Sequence, residues 1–200
     1  MTLKIGLTGN IGSGKSIVSE MFKVLGVPIY SADEKAKHFL NSEEVKIAIA
    51  NKFGNELLSE NNEIDKDRFA KLIFNNKKNL DYANSLIHPL VMADFEKWCK
   101  EFSEQNYVLM ESAIIFESHL EKLFDKIVVI YCPEELRLKR VMGRDKVDEE
   151  RVLARIKNQL SDNEKNKLAD FIIQNDDSIL VIPQVIEIDK KIKNINNHVL

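Results

Sequence analysis

The sequence predicts an α/β protein with a five-stranded parallel sheet, and three observations predict it. Short apolar runs begin near residues 3, 27, 107, 126 and 171, separated by stretches with helical spacing; that alternation leads to parallel sheets. A glycine-rich turn, residues 9–14, joins the first run to an amphipathic stretch. The longest interruption, 32–104, is mostly helical in pattern and reads as a helical lobe inserted into the sheet domain.

In chain order, LKIGLT (3–8) reads as a strand. Residues 15–25 place Ile17, Val18, Met21, Phe22 and Leu25 on one helical stripe. Gly26 stops that helix, and 27–30 read as the second strand. SEEVKIAIANKF, IDKDRFAKLIF and LDYANSLIHPLVMADFEKWCKEF read as three helices of the lobe, with Pro89 expected to kink or interrupt the last. YVLME (107–111) and KIVVIY (126–131) read as buried strands. Residues 134–144 and 148–168 read as helices with a break around 143–147, and FIIQ (171–174) as a strand. Residues 178–195 read as a closing helix with Pro183 in its first turn, and the end of the chain as frayed.

Composition narrows the class. With 200 residues, 44% hydrophobic and 30% charged, the chain is an ordinary globular domain. No apolar run approaches the ~20 residues of a membrane helix. A formal net charge of −3 argues against a nucleic-acid partner. Cys99 and Cys132 lack paired spacing and read as reduced thiols. The segment MTLKIGLTGN is no secretory signal, so a cytoplasmic monomer is expected.

Two residue types are concentrated. Four of seven glycines, Gly6, Gly9, Gly12 and Gly14, lie within nine residues. Five of six arginines, Arg137, Arg140, Arg144, Arg151 and Arg155, lie within nineteen. Elsewhere, apart from Arg68, positive charge is lysine. Arginine makes bidentate bonds to phosphate.

Gly9-Asn10-Ile11-Gly12-Ser13-Gly14-Lys15-Ser16 fits GxxxxGK[ST], with a strand before it and a helix after it. In such a loop, backbone N–H groups surround phosphate oxygens and the helix aims its positive end at them. Lys15 would reach the outer phosphates, and the Ser16 hydroxyl would ligate Mg²⁺. GTPase signatures DxxG and NKxD are missing. A single P-loop domain with a helical insert and an arginine cluster points to a small-molecule kinase. A sensor that binds nucleotide without catalysis is the reading from another class.

Such a kinase must orient the acceptor hydroxyl. Asp33 follows the second strand at its C-terminal end, where parallel sheets bind ligands; alternatively it caps a helix starting at Glu34. Glu111 ends the third strand on the same rim and holds either a magnesium-bound water or substrate, or makes a structural bond. Arg137, Arg140 and Arg144 share a helical face, either as a lid over the phosphates or as a solvated face paired with Glu134, Glu135, Asp145 and Glu149. His88 alone reads as a histidine at a helix kink. Trp98 and the phenylalanines read as core.

Taken together, GLTGNIGSGKS, SADEKAKHF, LIHPLV, ESAIIFE, LKRVMGRD, RIKNQ and KNKLADFIIQND closely resemble the dephospho-CoA kinase family from about residue 3 to 180. The resemblance implies a P-loop nucleoside-kinase-like three-layer fold: a core at about 1–31 and 105–200, a CoA-binding lobe at about 32–104 and a lid at about 136–150. It implies transfer of the ATP γ-phosphoryl group to the ribose 3′-hydroxyl of dephospho-CoA, with Mg²⁺. It further implies that Asp33 acts as base or orienter, that Arg140 and Arg144 serve the lid, and that Asn175 helps hold adenine. Gly9 to Ile17 would bind ATP; His88, Pro89, Ile115, Phe116 and Glu117 would lie on the acceptor side. Four positions depart from the family pattern. Ser31 replaces the first Asp of Asp-Ala-Asp, Asn10 and Ile17 replace the more usual Gly and Thr, and Asp177 replaces a common Gly.

Overall fold

The computed structural model describes residues 2–59, 61–146 and 149–197. It divides into two compact units, Met1–Ser31 with Cys99–Leu200, and Ala32–Trp98.

The first unit is built on β1 (Leu3–Thr8), β2 (Ile29–Ser31), β3 (Tyr107–Glu111), β4 (Lys126–Tyr131) and β5 (Phe171–Gln174). All pairings are parallel and the order is β2-β3-β1-β4-β5. Every strand therefore ends on one rim, which carries Thr8, Ser31 and Glu111; Ser31 stands opposite Glu111 in register. Between β1 and β2 runs α1 (Lys15–Val24). Beyond β4 come α6 (Glu134–Asp145), α7 (Glu149–Ile156), α8 (Asp162–Leu168) and α9 (Val181–Asn197), numbered after the four helices of the second unit.

Alternation along the strands fills both faces of the sheet. Ile5, Leu7, Leu109, Val128, Ile130 and Ile173 meet Val18 and Phe22 of α1 and Val185, Ile188 and Ile192 of α9. Burying a side chain such as Phe22, which is fully covered, stabilises the fold by about 2 kcal/mol. Ile127 and Val129 point the other way, into a cluster with Ile115 and Phe116 flanked by Leu160 and Ala169. The apolar stripe of α1 is narrower than its spacing predicts: Val18 and Phe22 are buried, whereas Ile17 is 63% exposed.

β5 is an edge strand, and a side chain from α9 occupies its outer edge. The Gln174 N–H donates to Gln184 Oε1 at 2.8 Å, and Gln184 Nε2 donates back to the Gln174 carbonyl at 2.9 Å.

The second unit holds α2 (Ala32–Leu40), α3 (Glu43–Phe53), α4 (Lys66–Phe74) and most of α5 (Lys77–Glu101). Leu40, Val45, Ile49, Phe69, Ile73, Ile87, Val91 and Phe95 are buried. Phe95 stacks on Trp98 at 6.0 Å, a packing role for both rings. Asp65 caps α4 by accepting the Asp67 and Arg68 N–H groups.

Four boundaries differ from expectation. Pro89 does not interrupt α5, which runs through it. Ala83, Ile87, Val91 and Phe95 bury one face, while the exposed turn at Ser85 leaves to solvent the carbonyl that proline cannot bond. The stretch expected as one helix over 148–168 holds two, Glu149–Ile156 and Asp162–Leu168, with residue 148 outside the described residues, because Ser161 opens α8 with a capping box closed by Glu164. α2 begins at Ala32, immediately after β2, so Asp33 stands in its first turn rather than before it. The α9 helix continues to Asn197 where fraying was expected, and the last three residues of that stretch lie outside the described residues. Pro183 does occupy its first turn.

Candidate active site

The loop between β1 and α1 is shaped by two glycines in the left-handed region, Gly12 at φ 81° and Gly14 at φ 96°. A side chain at either position would be strained by the backbone alone. Space excludes it as well: a Cβ on Gly12 would lie 2.7 Å from the Arg137 carbonyl, and one on Gly14 would collide with Asn175 Nδ2. Lys15, at 9% exposure, folds its ammonium back to donate to the Gly9 carbonyl at 3.0 Å. Thr8 Oγ1, Asn10 Oδ1 and Ser13 Oγ are buried without a hydrogen-bond partner among the described residues. Buried polar atoms are normally satisfied, so these three are exceptions clustered at the loop.

Three side chains hold the loop from outside. Gln159 Oε1 accepts from the Ile11 N–H at 2.9 Å. Asp162 Oδ1 accepts from Asn10 Nδ2 at 2.8 Å. Asn175 Nδ2 donates to the Ser13 carbonyl at 2.7 Å. Gln159 and Asp162 were not singled out from the sequence, because they lie 148 and 152 residues from their partners. The only signal pointing there was the RIKNQ segment. Asn175, expected near adenine, is directed to the loop backbone. Ile17, expected with the loop, is in the exposed first turn of α1.

At the rim, Glu111 is 9% exposed and bridges two hydroxyls. Ser16 Oγ donates to Oε1 at 3.2 Å and Ser19 Oγ to Oε2 at 3.0 Å. A hydroxyl beside a carboxylate is a hard oxygen donor set, which suits Mg²⁺. Asp33 is half-buried, two residues beyond Ser31.

The arginines of α6 do not share one exposed face. Arg137 is 1% exposed: Nε donates to the Cys132 carbonyl at 2.9 Å and Nη2 to Asp162 Oδ2 at 2.8 Å. Arg137 is thereby removed from the expected lid face, because the root of α6 packs against the phosphate loop and α8. Arg140 donates to the Asn175 carbonyl at 3.2 Å and to Asp177 Oδ1 at 2.8 Å. Asp177 has a left-handed backbone, φ 64°, the region that favours glycine, and its carboxylate pairs with Arg140. Arg144 is exposed beside Asp145, which raises its already high pKa through their hydrogen bond. Residues 147 and 148, at the tip of the expected lid, lie outside the described residues.

Burial raises the Cys132 pKa against the lowering effect of Arg140 and Arg137, so this thiol stays protonated near neutral pH. Neither cysteine is in a disulfide. Phe116, expected on the acceptor side, is 4% exposed and packed with Ile115. Glu117 is tied to the core: it accepts from the Leu160 N–H at 2.8 Å and from the buried Lys165 at 2.9 Å. Burial lowers the Lys165 pKa, and Glu117 opposes that. In the second unit, His88 is half-buried and Pro89 exposed, and desolvation lowers the His88 pKa. No described helix is long and apolar enough to cross a membrane.

Comparison with known proteins agrees with the fold. The model of the dephospho-CoA kinase family matches residues 3–180. A dephospho-CoA kinase of Bacteroides fragilis is 38% identical over 189 residues, 94% of this chain and 92% of the relative. Among solved structures, dephospho-CoA kinase from Campylobacter jejuni is 31% identical with TM-score 0.69, covering 98% of this chain and all of that one. A structure from Thermus thermophilus superposes with TM-score 0.83 at 27% identity, covering 95% and 97% of the two chains.

Proposed function

Because the chain belongs to the dephospho-CoA kinase family, we propose that it transfers the γ-phosphoryl group of ATP to the ribose 3′-hydroxyl of dephospho-CoA, the final step of coenzyme A synthesis. The carrying observation is the intact phosphate loop, with the Lys15 ammonium on the Gly9 carbonyl and Ser16 beside Glu111.

Transfer is direct and in line, with no phosphoenzyme. The acceptor oxygen forms a bond to the γ-phosphorus while the bond to the β-phosphate bridging oxygen breaks, releasing ADP. The hydroxyl proton passes to the Asp33 carboxylate, which also orients the acceptor. Gly9 to Ser16 enclose the phosphates, and Lys15 neutralises charge on the transferring group. Ser16, with Glu111 beside it, would hold Mg²⁺, which supplies further charge neutralisation across the phosphates. Arg140 and Arg144 close from α6 onto the transferring group, exchanging Asp177 and Asp145 for phosphate oxygens. Asn175 supports the loop on the adenine side. His88 and Pro89 are assigned to the acceptor from the family resemblance, and Phe116 packs in the core of the first unit with Ile115. The protein acts as a cytoplasmic monomer.

Asp33→Asn tests the central assignment. It keeps shape and hydrogen bonding but removes the proton acceptor, so kcat should fall about 10²-fold with ATP affinity retained. A variant with near-normal kcat would refute the base assignment. Dephospho-CoA should stimulate ADP release where AMP and nucleosides do not; stimulation by another acceptor would reassign the substrate.

A further inference from the structure

We propose that Asp162 is a positioning residue for ATP binding: its carboxylate fixes the phosphate loop, through Asn10, to the buried root of α6, through Arg137.

The geometry uses both oxygens of one side chain. Oδ1 accepts from Asn10 Nδ2 at 2.8 Å and Oδ2 from Arg137 Nη2 at 2.8 Å. Asn10 is 2% exposed and Arg137 1%, so both donors are buried, while the Asp162 side chain keeps 22% exposure. Charge-assisted bonds in such surroundings are stronger than neutral ones and costly to leave unmade. The neighbouring chain reinforces the bridge. Asn10 Nδ2 also donates to the Leu160 carbonyl at 3.2 Å, and Gln159 joins the Ile11 N–H to the Ala113 carbonyl. Gln159 and Asp162 are three residues apart and grip consecutive loop residues.

Arg137 ties in the other element. Its Nε is fixed to the Cys132 carbonyl at the end of β4. Its own carbonyl would be 2.7 Å from any Cβ on Gly12, so the loop and α6 are in close backbone approach. Arg140 and Arg144 lie beyond Arg137 on α6, and Asp162 opens α8. One carboxylate thus joins α6, α8 and the loop. Asp162 would touch no substrate; it would act by keeping the loop's N–H groups in their phosphate-binding arrangement before ATP arrives. Pre-ordering of that kind lowers the cost of binding. Its loss should weaken ATP binding and spare the chemical step.

The proposal rests on residues 9–16 being the ATP phosphate site, and the test separates the two. ATP affinity is measured by calorimetry without acceptor for wild type, Lys15→Ala, Asp162→Ala, Asp162→Asn, Asn10→Ala and the Asn10→Ala/Asp162→Ala double variant, with kcat, KM and melting curves for each. Asp162→Ala should raise Kd and KM for ATP about tenfold and leave kcat within about twofold. Asp162→Asn, which retains an oxygen for Asn10, should recover most of the affinity. The double variant should bind no worse than Asp162→Ala, because both changes cut the same connection. Wild-type affinity in a folded Asp162→Ala, a loss confined to kcat, or additive losses in the double variant would each overturn the proposal. If Asp162→Ala does not fold, Asn10→Ala decides: unchanged ATP affinity overturns it. Unchanged affinity in Lys15→Ala would instead refute the phosphate site itself.

Discussion

In the phosphate loop, Asn10, Ser13 and Lys15 are all buried, and bonds of 2.7–2.9 Å from Asn175, Asp162 and Gln159 hold it from outside. Along α6 the arginines loosen with distance from the core: side-chain exposure is 2% at Arg137, 29% at Arg140 and 65% at Arg144. Both regions offer positive charge to an anion, but only one is fixed in advance. The pairs Arg140–Asp177 and Arg144–Asp145 are surface pairs of the kind worth little net stability, so their carboxylates can be exchanged for phosphate at small cost. A kinase needs both properties, a rigid cradle and a charge that can arrive late.

This contrast predicts a graded response. The largest effect should come from Lys15→Ala, with turnover falling about 10³-fold; a loss under tenfold would show that the cradle is not the main source of charge stabilisation. Arg140→Ala should slow kcat about 10²-fold and Arg144→Ala about tenfold. The reverse ranking would mean that the tip of α6 rather than its middle meets the phosphate.

The same division of buried and exposed charge should appear in stability. Lys165 is fully buried and Glu117 nearly so. Lys165→Met leaves that carboxylate unpaired and should cost about 3 kcal/mol, a fall in Tm on the order of 10 °C. Lys126, which pairs with Asp170 at the surface, should tolerate alanine with a change of about 2 °C or less. Equal losses in differential scanning calorimetry would break the distinction.

The smallest predicted effect concerns pH. Burial holds the folded pKa of His88 below the ordinary imidazole value of 6.5. Between the two values the unfolded chain binds more protons, so stability rises with pH through that window. His88 costs nothing above about 6.5 and destabilises the fold progressively as pH falls from there toward its folded pKa. His88→Gln should therefore flatten the acid side of a denaturant-midpoint profile between pH 7.5 and 5; an unchanged slope would assign the acid loss to other groups.

The legible features were those encoded locally. β3, β4 and β5 match their apolar runs, and the loop follows from its own eight residues and their strand-helix context. Strand order was not legible, because β1 pairs with β3 and β4, each about a hundred residues away. The role of Arg137 was misread for a related reason. Helical spacing places it beside Arg140 and Arg144, but only the fold supplies Asp162 and removes it from solvent. Pro89 shows the converse: a strong local breaker overridden by buried positions before and after it. Asp177 was visible only as a departure from glycine; its left-handed backbone and its bond to Arg140 required coordinates.

The paired amides of Gln174 and Gln184 bear on how the molecule survives at high concentration. An uncovered edge strand invites a second chain to lengthen the sheet, and β5 carries the half-exposed Ile172. Gln184 imitates the peptide group of a sixth strand and terminates the ladder with a side chain that cannot propagate it. Freed of that plug, the same edge would become a seed for self-association without any change at the catalytic rim.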